Sequence, residues 1–272
     1  MTELISAPPA LAPPPSGFFR LAVPLVQALV RNTRGTIRPK DVMFLMAVHA
    51  HVARLPLDEL QRTPASGSQM ASVIARVRLA EVLQSLGYLR RNGDFASSAW
   101  RRARQGIARL SAAPCRVPFK VRTGRRNLLA DKSFFQPLIL PVTGPGQPLA
   151  VKLNAYSPPY DRYFILVPRH LLSLRKALTN VSIRLALWLL VRHRGRRVDG
   201  RVQHSWWVVV TSEALVQAGL LDSEKAKQGL ELARWRRGFE ALERVALLRI
   251  VGEGWPFKVE LSSTLFHPDG AP

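Results

Sequence analysis

The residues of this chain best suited to chemistry are arginines that stand in two short runs. Each run follows a tryptophan: Trp100-Arg101-Arg102 in the first half of the chain and Trp235-Arg236-Arg237 in the second. A planar guanidinium donates two parallel hydrogen bonds to a phosphate or to the edge of a guanine base. The paired arginines therefore indicate recognition of a polyanion, and nucleic acid is the polyanion that offers both groups.

The charge of the whole chain agrees with that interpretation. Lysine and arginine number 40 against 18 aspartates and glutamates, which gives a formal net charge of +22 and a pI of about 11.5. Arginine outnumbers lysine 32 to 8, which favours nucleic acid over a general cationic surface. A GC-rich genome also raises the share of arginine, but it does not explain the net charge.

The first arginine run belongs to a stretch without any counter-charge. Residues 97–126 hold nine lysines or arginines and no acidic residue. If 97–112 is a helix, Trp100, Ala103, Ile107 and Leu110 share its inner face. On the two helices that carry these runs, the side chains expected to contact DNA are Arg101, Arg102, Gln105, Arg109, Lys227, Arg234, Arg237 and Arg244.

The second arginine run has acidic neighbours. Glu240 follows Arg236 by four residues and Glu243 lies beside it, so these acids are expected to pair with Arg236 and to remove it from DNA binding. Gly238 and Ala241 are expected on the outer side of this helix, where small residues permit a close approach. Basic residues in the strands and loops are expected to touch phosphates, which adds affinity but no sequence preference; they are Lys120, Arg122, Arg125, Arg126 and Lys258.

His49-Ala50-His51 is the remaining motif with chemical potential. A His-apolar-His sequence on a strand is the metal pair of rolling-circle nicking enzymes, which also need a tyrosine nucleophile, and the candidates are Tyr88, Tyr156, Tyr160 and Tyr163. Here the apolar spacing through Val42, Leu45 and Val52 predicts a helix, on which the two histidines lie about 200° apart. A partly buried helix histidine explains the motif better.

Other catalytic signatures are missing from the sequence. It contains neither a phosphate-binding loop of the P-loop type nor a dinucleotide fingerprint. The 18 acidic residues form no cluster of the kind that two-metal catalysis needs. Cys115 is the only cysteine, which excludes a disulfide framework and a cysteine-based zinc site. We therefore expect no enzymatic activity and no cofactor.

The second arginine run is positioned by residues 211–261. A helix over 212–218 begins at Thr211 and stops at Gly219, and a second helix covers 223–246. Strands at 247–251 and 257–261 follow, joined by a glycine-containing turn. Two helices in a helix-turn-helix followed by a strand pair predict a winged helix. Before it, a buried strand or a helix lead-in at 163–167, helices at 170–177 and 182–194 and a strand at 206–210 are expected.

The first half repeats this pattern. Helices are predicted from an opening at 38–41 through 54, over 68–86 and over 97–112, with strands at 117–121 and 134–140. Residues 80–87 align with 212–219, and Trp100 aligns with Trp235 if the connecting loops differ by three residues. The resulting fold class is α+β, mostly helical, with two tandem winged helices. The predicted divisions are an arm and lead-in at 1–34, a first domain at 35–148 and a second at 149–272.

Composition also bears on the compartment of the protein and on whether it enters a membrane. The apolar fraction is 47%, enough for a substantial core. No stretch reaches the roughly 18 apolar residues of a membrane span, and the Pro- and Ala-rich N-terminus lacks the basic region of a signal peptide. A cytoplasmic protein with no membrane partner is expected.

By architecture and pattern, residues 35–261 resemble the plasmid replication initiators of the iteron-binding RepA and TrfA kind. The resemblance is carried by the unit at 211–250, its echo at 80–110, the segment Phe164-Ile165-Leu166-Val167-Pro168 and the helix at 182–194. It implies a non-enzymatic protein that binds repeated origin sites in double-stranded DNA, helps to open the duplex and recruits the host initiator or helicase. A homodimer is also compatible with it.

Family members usually read sequence with the C-terminal winged helix, whereas the N-terminal one supports dimerisation or secondary DNA contact. The very basic helix at 97–112 departs from that pattern and suggests that both halves touch DNA. A winged-helix transcriptional regulator has the same physical features and remains an alternative, as does the nicking enzyme that would use His49 and His51.

Overall fold

The structure is a computed structural model. It describes residues 17–31, 37–63, 72–88, 94–95, 97–115, 118–120, 127–129, 132–133, 135–139, 147–154, 164–193, 196–198, 201–203, 206–223, 225 and 229–262. These residues form a mixed α+β fold with eight α-helices. None of the described helices is long and apolar enough to cross a membrane.

The N-terminal segment and the first half contain four helices and nine strands. In chain order they are β1 (Phe18–Ala22), α1 (Val23–Val30), α2 (Pro39–Val52), β2 (Gln61–Thr63), β3 (Ser72–Arg78), α3 (Leu79–Ser85), α4 (Ser97–Ala112), β4 (Pro114–Cys115), β5 (Pro118–Lys120), β6 (Asn127–Leu129), β7 (Lys132–Ser133), β8 (Phe135–Ile139) and β9 (Pro148–Asn154). The predicted helices at 41–54 and 97–112 are confirmed.

The second half contains the other four helices. In chain order its elements are β10 (Phe164–Pro168), α5 (His170–Ser173), α6 (Asn180–His193), β11 (Arg196–Val198), β12 (Arg201–Gln203), β13 (Trp207–Val210), α7 (Ser212–Gln217), α8 (Gly229–Arg244), β14 (Leu248–Val251) and β15 (Phe257–Leu261). The strands and the helices at 182–194 and 212–218 predicted for this half are confirmed. The helix predicted at 170–177 is α-helical only over His170–Ser173 and continues as a 3₁₀ helix over Leu174–Lys176, and α8 is described from Gly229 onwards and not from residue 223.

The two halves share one order of elements. The first runs α2, β3, α3, α4, β8, β9 and the second runs α6, β13, α7, α8, β14, β15. In each half the last strand lies between the other two: the sheets are β2-β3-β9-β8 and β13-β15-β14, antiparallel throughout. Because β9 pairs with β3, the sheet of the first half extends to Asn154, beyond residue 148, where the first domain was predicted to end. Repetition of order and strand pairing makes the two halves structural counterparts.

The first half differs from the second by an insertion between α4 and β8. There β4 pairs with β7, and β5 pairs with β6 inside them. The strands predicted at 117–121 and 134–140 are confirmed as β5 and β8, but their pairing with each other is wrong: β8 pairs with β9, whereas β5 belongs to the inserted hairpin.

The helix predicted over 68–86 is wrong over its first part. β3 occupies Ser72–Arg78, and its side chains alternate between the core and solvent, with Val73, Ala75 and Val77 buried and Arg76 and Arg78 exposed. This period of two and the two valines favour a strand. The helix begins only at Leu79, and the chain turns at Gly87 with a positive φ of 67°.

One hydrophobic core runs through both halves, and the N-terminal segment lies within it. β1 pairs antiparallel with β10, and α1 packs on α6. Phe19, Leu21 and Leu25 are fully buried. The lead-in predicted at 1–34 thus packs, over its described residues, on the second half.

Candidate nucleic-acid interface

Helix α8 is held against α6 by its apolar face. Trp235 and Phe239 are buried, and the Phe239 ring packs edge-on against Trp188 of α6 and Phe257 of β15, with centroids 6.4 and 5.2 Å apart. The opposite face is open to solvent and carries Arg234, Arg237 and Arg244, all exposed. The predicted outward direction of these three arginines is confirmed.

Two small residues of α8 do not face outward. Gly238 is buried against α6, where an added Cβ would lie 2.5 Å from Val181 Cγ1 and 2.9 Å from Leu185 Cδ1. Ala241 is also buried, at 2% exposure. The predicted close approach on the outer side is therefore wrong, because these positions bring α8 close to another helix of the same chain.

Arg236 is engaged within the second half, as expected. Its Nε lies 3.6 Å from Glu240 Oε1, and its Nη2 donates a hydrogen bond of 3.0 Å to the carbonyl oxygen of Gly252. The guanidinium also lies 4.4 Å from the centre of the Phe257 ring. Glu243 has a different partner, since its Oε1 accepts a 2.7 Å hydrogen bond from the amide of Ile250. The hydrogen bonds from Arg236 to Gly252 and from Ile250 to Glu243 fasten α8 to the strands that follow it.

One further cation, Arg184, lies near Arg234 of α8. Arg184 of α6 donates to the carbonyl oxygen of Val30, and its guanidinium lies 5.8 Å from the Trp235 ring centre. Burial, and then the charge of Arg234, lower the pKa of Arg184 to about 10. Arg184 is still a cation at neutral pH, so it adds to the positive potential near Arg234.

Helix α4 presents the same kind of surface. Ala103, Ile107 and Leu110 are buried, whereas Arg101, Arg102 and Gln105 are exposed. Arg104 is also exposed and lies 5.9 Å from the ring centre of Trp100, which is only half-buried. The outward direction predicted for Arg101, Arg102 and Gln105 is confirmed.

Arg109 has a partner inside the protein. Its Nε and Nη2 donate to the two carboxylate oxygens of Asp41 at 2.6 and 2.7 Å. Asp41 is only 2% exposed, and its Oδ2 also accepts the backbone amide of Arg38 at 2.9 Å. Hydrogen bonding to Asp41 raises the pKa of Arg109. This guanidinium fixes α4 to α2, and Arg109 is therefore not part of the proposed DNA-binding surface.

The repeat has a different register from the one predicted. Gly87 and Gly219 follow α3 and α7 with positive φ of 67° and 70°. The same offset pairs Gly106 with Gly238, and each of these glycines lies against the helix that opens its half: an added Cβ on Gly106 would be 3.1 Å from Asp41 Oδ1 of α2.

That register makes Ala103, not Trp100, the counterpart of Trp235. The predicted equivalence of the two tryptophans is wrong by three residues, and their surroundings differ accordingly, because Trp235 is buried and Trp100 is half-buried. At the exposed positions, Arg102 corresponds to Arg234 and Gln105 corresponds to Arg237. Both halves therefore expose polar side chains at these two matching points of the second helix, and at one of them both are arginines.

The strand residues are less completely described. Lys258 is exposed on β15, opposite Val209 of β13 and Val251 of β14, which are also exposed. Lys120 lies on β5, in the inserted hairpin and not in the sheet of the first half. Arg122, Arg125, Arg126 and Lys227 lie outside the described residues.

No family model, no curated protein and no solved structure matches this chain.

The histidine pair offers no metal site of the nicking-enzyme type. His49 and His51 both lie on α2, and His49 is fully buried, which lowers its pKa to about 3. His51 Nδ1 lies 3.5 Å from Glu81 Oε2. Among the described residues, no group of three or more His, Cys, Asp or Glu side chains could hold a metal ion. The helical placement predicted for the pair is confirmed.

Sequence reasoning missed two cations beside α4. Arg38 and Lys40, at the beginning of α2, are exposed and line a hollow together with Arg102 and Gln105. The sequence signal was available in Arg38-Pro39-Lys40, which stands just before the apolar part of α2. Only the packing of α2 on α4 shows that these charges extend the surface of the arginine helix.

Proposed function

We propose that the chain is a sequence-specific double-stranded DNA-binding protein with two tandem winged helices, and that it initiates plasmid replication by binding repeated origin sites. One observation carries the DNA-binding part. Each half holds its second helix of a pair, α4 or α8, with polar and cationic side chains exposed at equivalent positions, Arg102 with Arg234 and Gln105 with Arg237.

The winged-helix assignment is supported by topology. Each half has a helix, a strand, two helices and two strands, and the third strand lies between the first and the second. In a helix-turn-helix, the second helix of the pair enters the major groove. α4 and α8 are the helices in that position, and the strand pairs β8–β9 and β14–β15 are the wings.

The proposed contacts divide into two classes. Arg234, Arg237 and Arg244 on α8, and Arg101, Arg102 and Gln105 on α4, read base edges in the major groove. Each arginine that holds O6 and N7 of a guanine discriminates against other bases by roughly 1–3 kcal/mol. Lys258 on β15 contacts phosphates, which contributes affinity without sequence preference.

The role in replication rests on the resemblance to iteron-binding initiators. Two DNA-contacting units in one chain suit a repeated origin site, and the net charge of +22 supplies the general attraction to DNA. In this role the protein is not an enzyme. It needs no cofactor, opens the duplex by binding, and engages the host initiator or helicase in the cytoplasm, as a monomer or a homodimer.

The decisive experiment is selection of bound sequences from random duplex DNA. An initiator selects a motif that recurs in direct repeats at the origin of its plasmid. Selection of one isolated operator next to a promoter would favour a transcriptional regulator instead. Failure to enrich any motif would contradict sequence-specific binding altogether.

Substitutions test the assignment of residues. Arg237→Ala and Arg244→Ala are expected to relax the selected motif at particular base pairs. Lys258→Ala, and Lys120→Ala if its hairpin reaches the duplex, are expected to weaken all sequences about equally and to reduce the salt slope by about 1. An equal loss on every sequence after the arginine substitutions would contradict their role in base reading.

A further inference from the structure

A hollow of about 160 Å³ lies between the beginning of α2, the end of α3 and the middle of α4. Its volume is well below the roughly 300 Å³ at which pockets for drug-sized ligands begin. It therefore suits a single compact group. Arg38, Lys40, Arg102 and Gln105 form its exposed rim, and Arg109 with Asp41 lies behind them.

The charges around this hollow do not balance. Four of its lining side chains are cations and only Asp41 is an anion. Asp41 is bound through both oxygens to Arg109, so that pair is neutral. Within the part of the chain that the structure describes, none of the three cations on the rim forms an ion pair with an acidic side chain. About three positive charges thus surround a space the size of one small anion.

The hollow also adjoins the surface already assigned to DNA. Arg102 and Gln105 belong both to its rim and to the outward face of α4. A helix that lies in the major groove has the sugar-phosphate backbone along its sides, and cations that flank such a helix fix its register on the duplex. Arg38 and Lys40 are flanking cations of this kind, contributed by another helix.

We propose that the hollow binds one phosphate group of the DNA backbone, which Arg38 and Lys40 hold, while Arg102 and Gln105 at its shared edge reach the bases. This inference rests on the proposed function, because it requires α4 to lie against the duplex. The Arg109–Asp41 pair forms the floor and keeps α2 and α4 at the distance that the site needs. A free phosphate ion has the same chemistry and is the other source to be tested.

The test uses Arg38→Gln, Lys40→Gln and the double variant in the full chain, with Kd measured across a salt series on a selected duplex and on a scrambled one. Salt dependence falls by about 0.9 in slope for each phosphate that is no longer neutralised. Since the site holds one phosphate, the double variant should lose about 1 unit of slope, and neither single variant should lose more than that. Its affinity should fall by the same factor on both duplexes.

Arg54→Gln is the matched control. Arg54 is exposed and follows the far end of α2, roughly 20 Å from Lys40 along a helix of 14 residues. The Arg54→Gln variant loses the same charge as Arg38→Gln and should leave the salt dependence of Kd unchanged. A slope loss of about 2 in the double variant would mean two separate phosphates, and an unchanged slope would mean none; both results overturn the proposal.

Inorganic phosphate separates the two sources. If the hollow takes a backbone phosphate, replacing chloride by phosphate at equal ionic strength should weaken DNA binding of the wild type more than that of the double variant. Phosphate that binds at the hollow without competing with DNA would overturn the assignment to the backbone. Absence of any duplex binding by the wild type would overturn the proposed function as well, whereas normal binding with an insensitive double variant would overturn this inference alone.

Discussion

Arg109 and Arg102 lie on one helix, and their substitution should separate stability from DNA binding. Arg109→Ala removes the partner of Asp41, a carboxylate that is 2% exposed. Loss of one member of a buried ion pair costs roughly 3–5 kcal/mol because the other charge is left unpaired. Arg109 is 25% exposed, and Asp41 would keep its hydrogen bond from the Arg38 amide. The expected loss is therefore at the lower end, about 3 kcal/mol.

Urea denaturation followed by circular dichroism measures this loss as a lower midpoint with an unchanged slope. Arg102→Ala is the matched control, since Arg102 is exposed and its removal should change the free energy of unfolding by less than about 0.5 kcal/mol. DNA affinity should show the opposite order: Arg102→Ala, which removes a side chain proposed to contact DNA, weakens binding more than Arg109→Ala does when measured where that variant is folded.

A second variant distinguishes the ion pair from general damage to α4. In the double variant Asp41→Ala, Arg109→Ala no unpaired charge is left, so it should be less destabilised than the sum of the two single variants. If Arg109→Ala unfolds at the wild-type urea midpoint, or if the two single effects simply add, the structural role assigned to this arginine is wrong.

Three further predictions concern the core. His49 has a pKa of about 3 in the fold against 6.5 when exposed, so the unfolded chain binds more protons below pH 6.5. The free energy of unfolding should fall by about 2 kcal/mol between pH 8 and pH 5. His49→Leu should remove most of this pH dependence in urea titrations. If the variant loses as much stability between these pH values as the wild type does, His49 is not the source of the dependence. Gly238→Ala should lower the free energy of unfolding by about 1 kcal/mol, because crowding against Val181 outweighs the gain in helix propensity; Gly229→Ala, with open space around it, should not. A chain that starts at residue 32 should aggregate or unfold at lower urea than one that starts at residue 17, because β1 and α1 are lost; equal midpoints would show that the N-terminal segment is dispensable.

Much of the helix pattern could be predicted because its signals are local. The cap at Thr211, whose Oγ1 accepts the amide of Ala214 at 3.0 Å, and the turn at Gly219 are encoded by neighbouring residues. The arginines of α8 point outward because the apolar residues of one helical face must be buried. Such features follow from residue type and spacing alone.

The predictions failed where a contact joins residues that are distant in the sequence, and where two stretches of similar sequence are not structural counterparts. Arg109 looks like any other arginine of its run until α2 brings Asp41 to it, 68 positions away. The two Trp-Arg-Arg runs suggested one register for the repeat, whereas packing of Gly106 and Gly238 on the opening helices sets another. In β3 the alternation of buried and exposed residues was visible, but the helix predicted downstream was extended through it.

The pairing of β1 with β10, together with the common core, ties the two halves to each other, so they cannot swing on a loose tether. For the DNA binding proposed above, the protein itself would then set the separation between the base pairs that α4 and α8 reach. One extra base pair between the half-sites moves the second by about 3.4 Å and turns it by roughly 35° around the duplex axis. An origin recognised by both halves should therefore tolerate base changes in the spacer but not changes in its length.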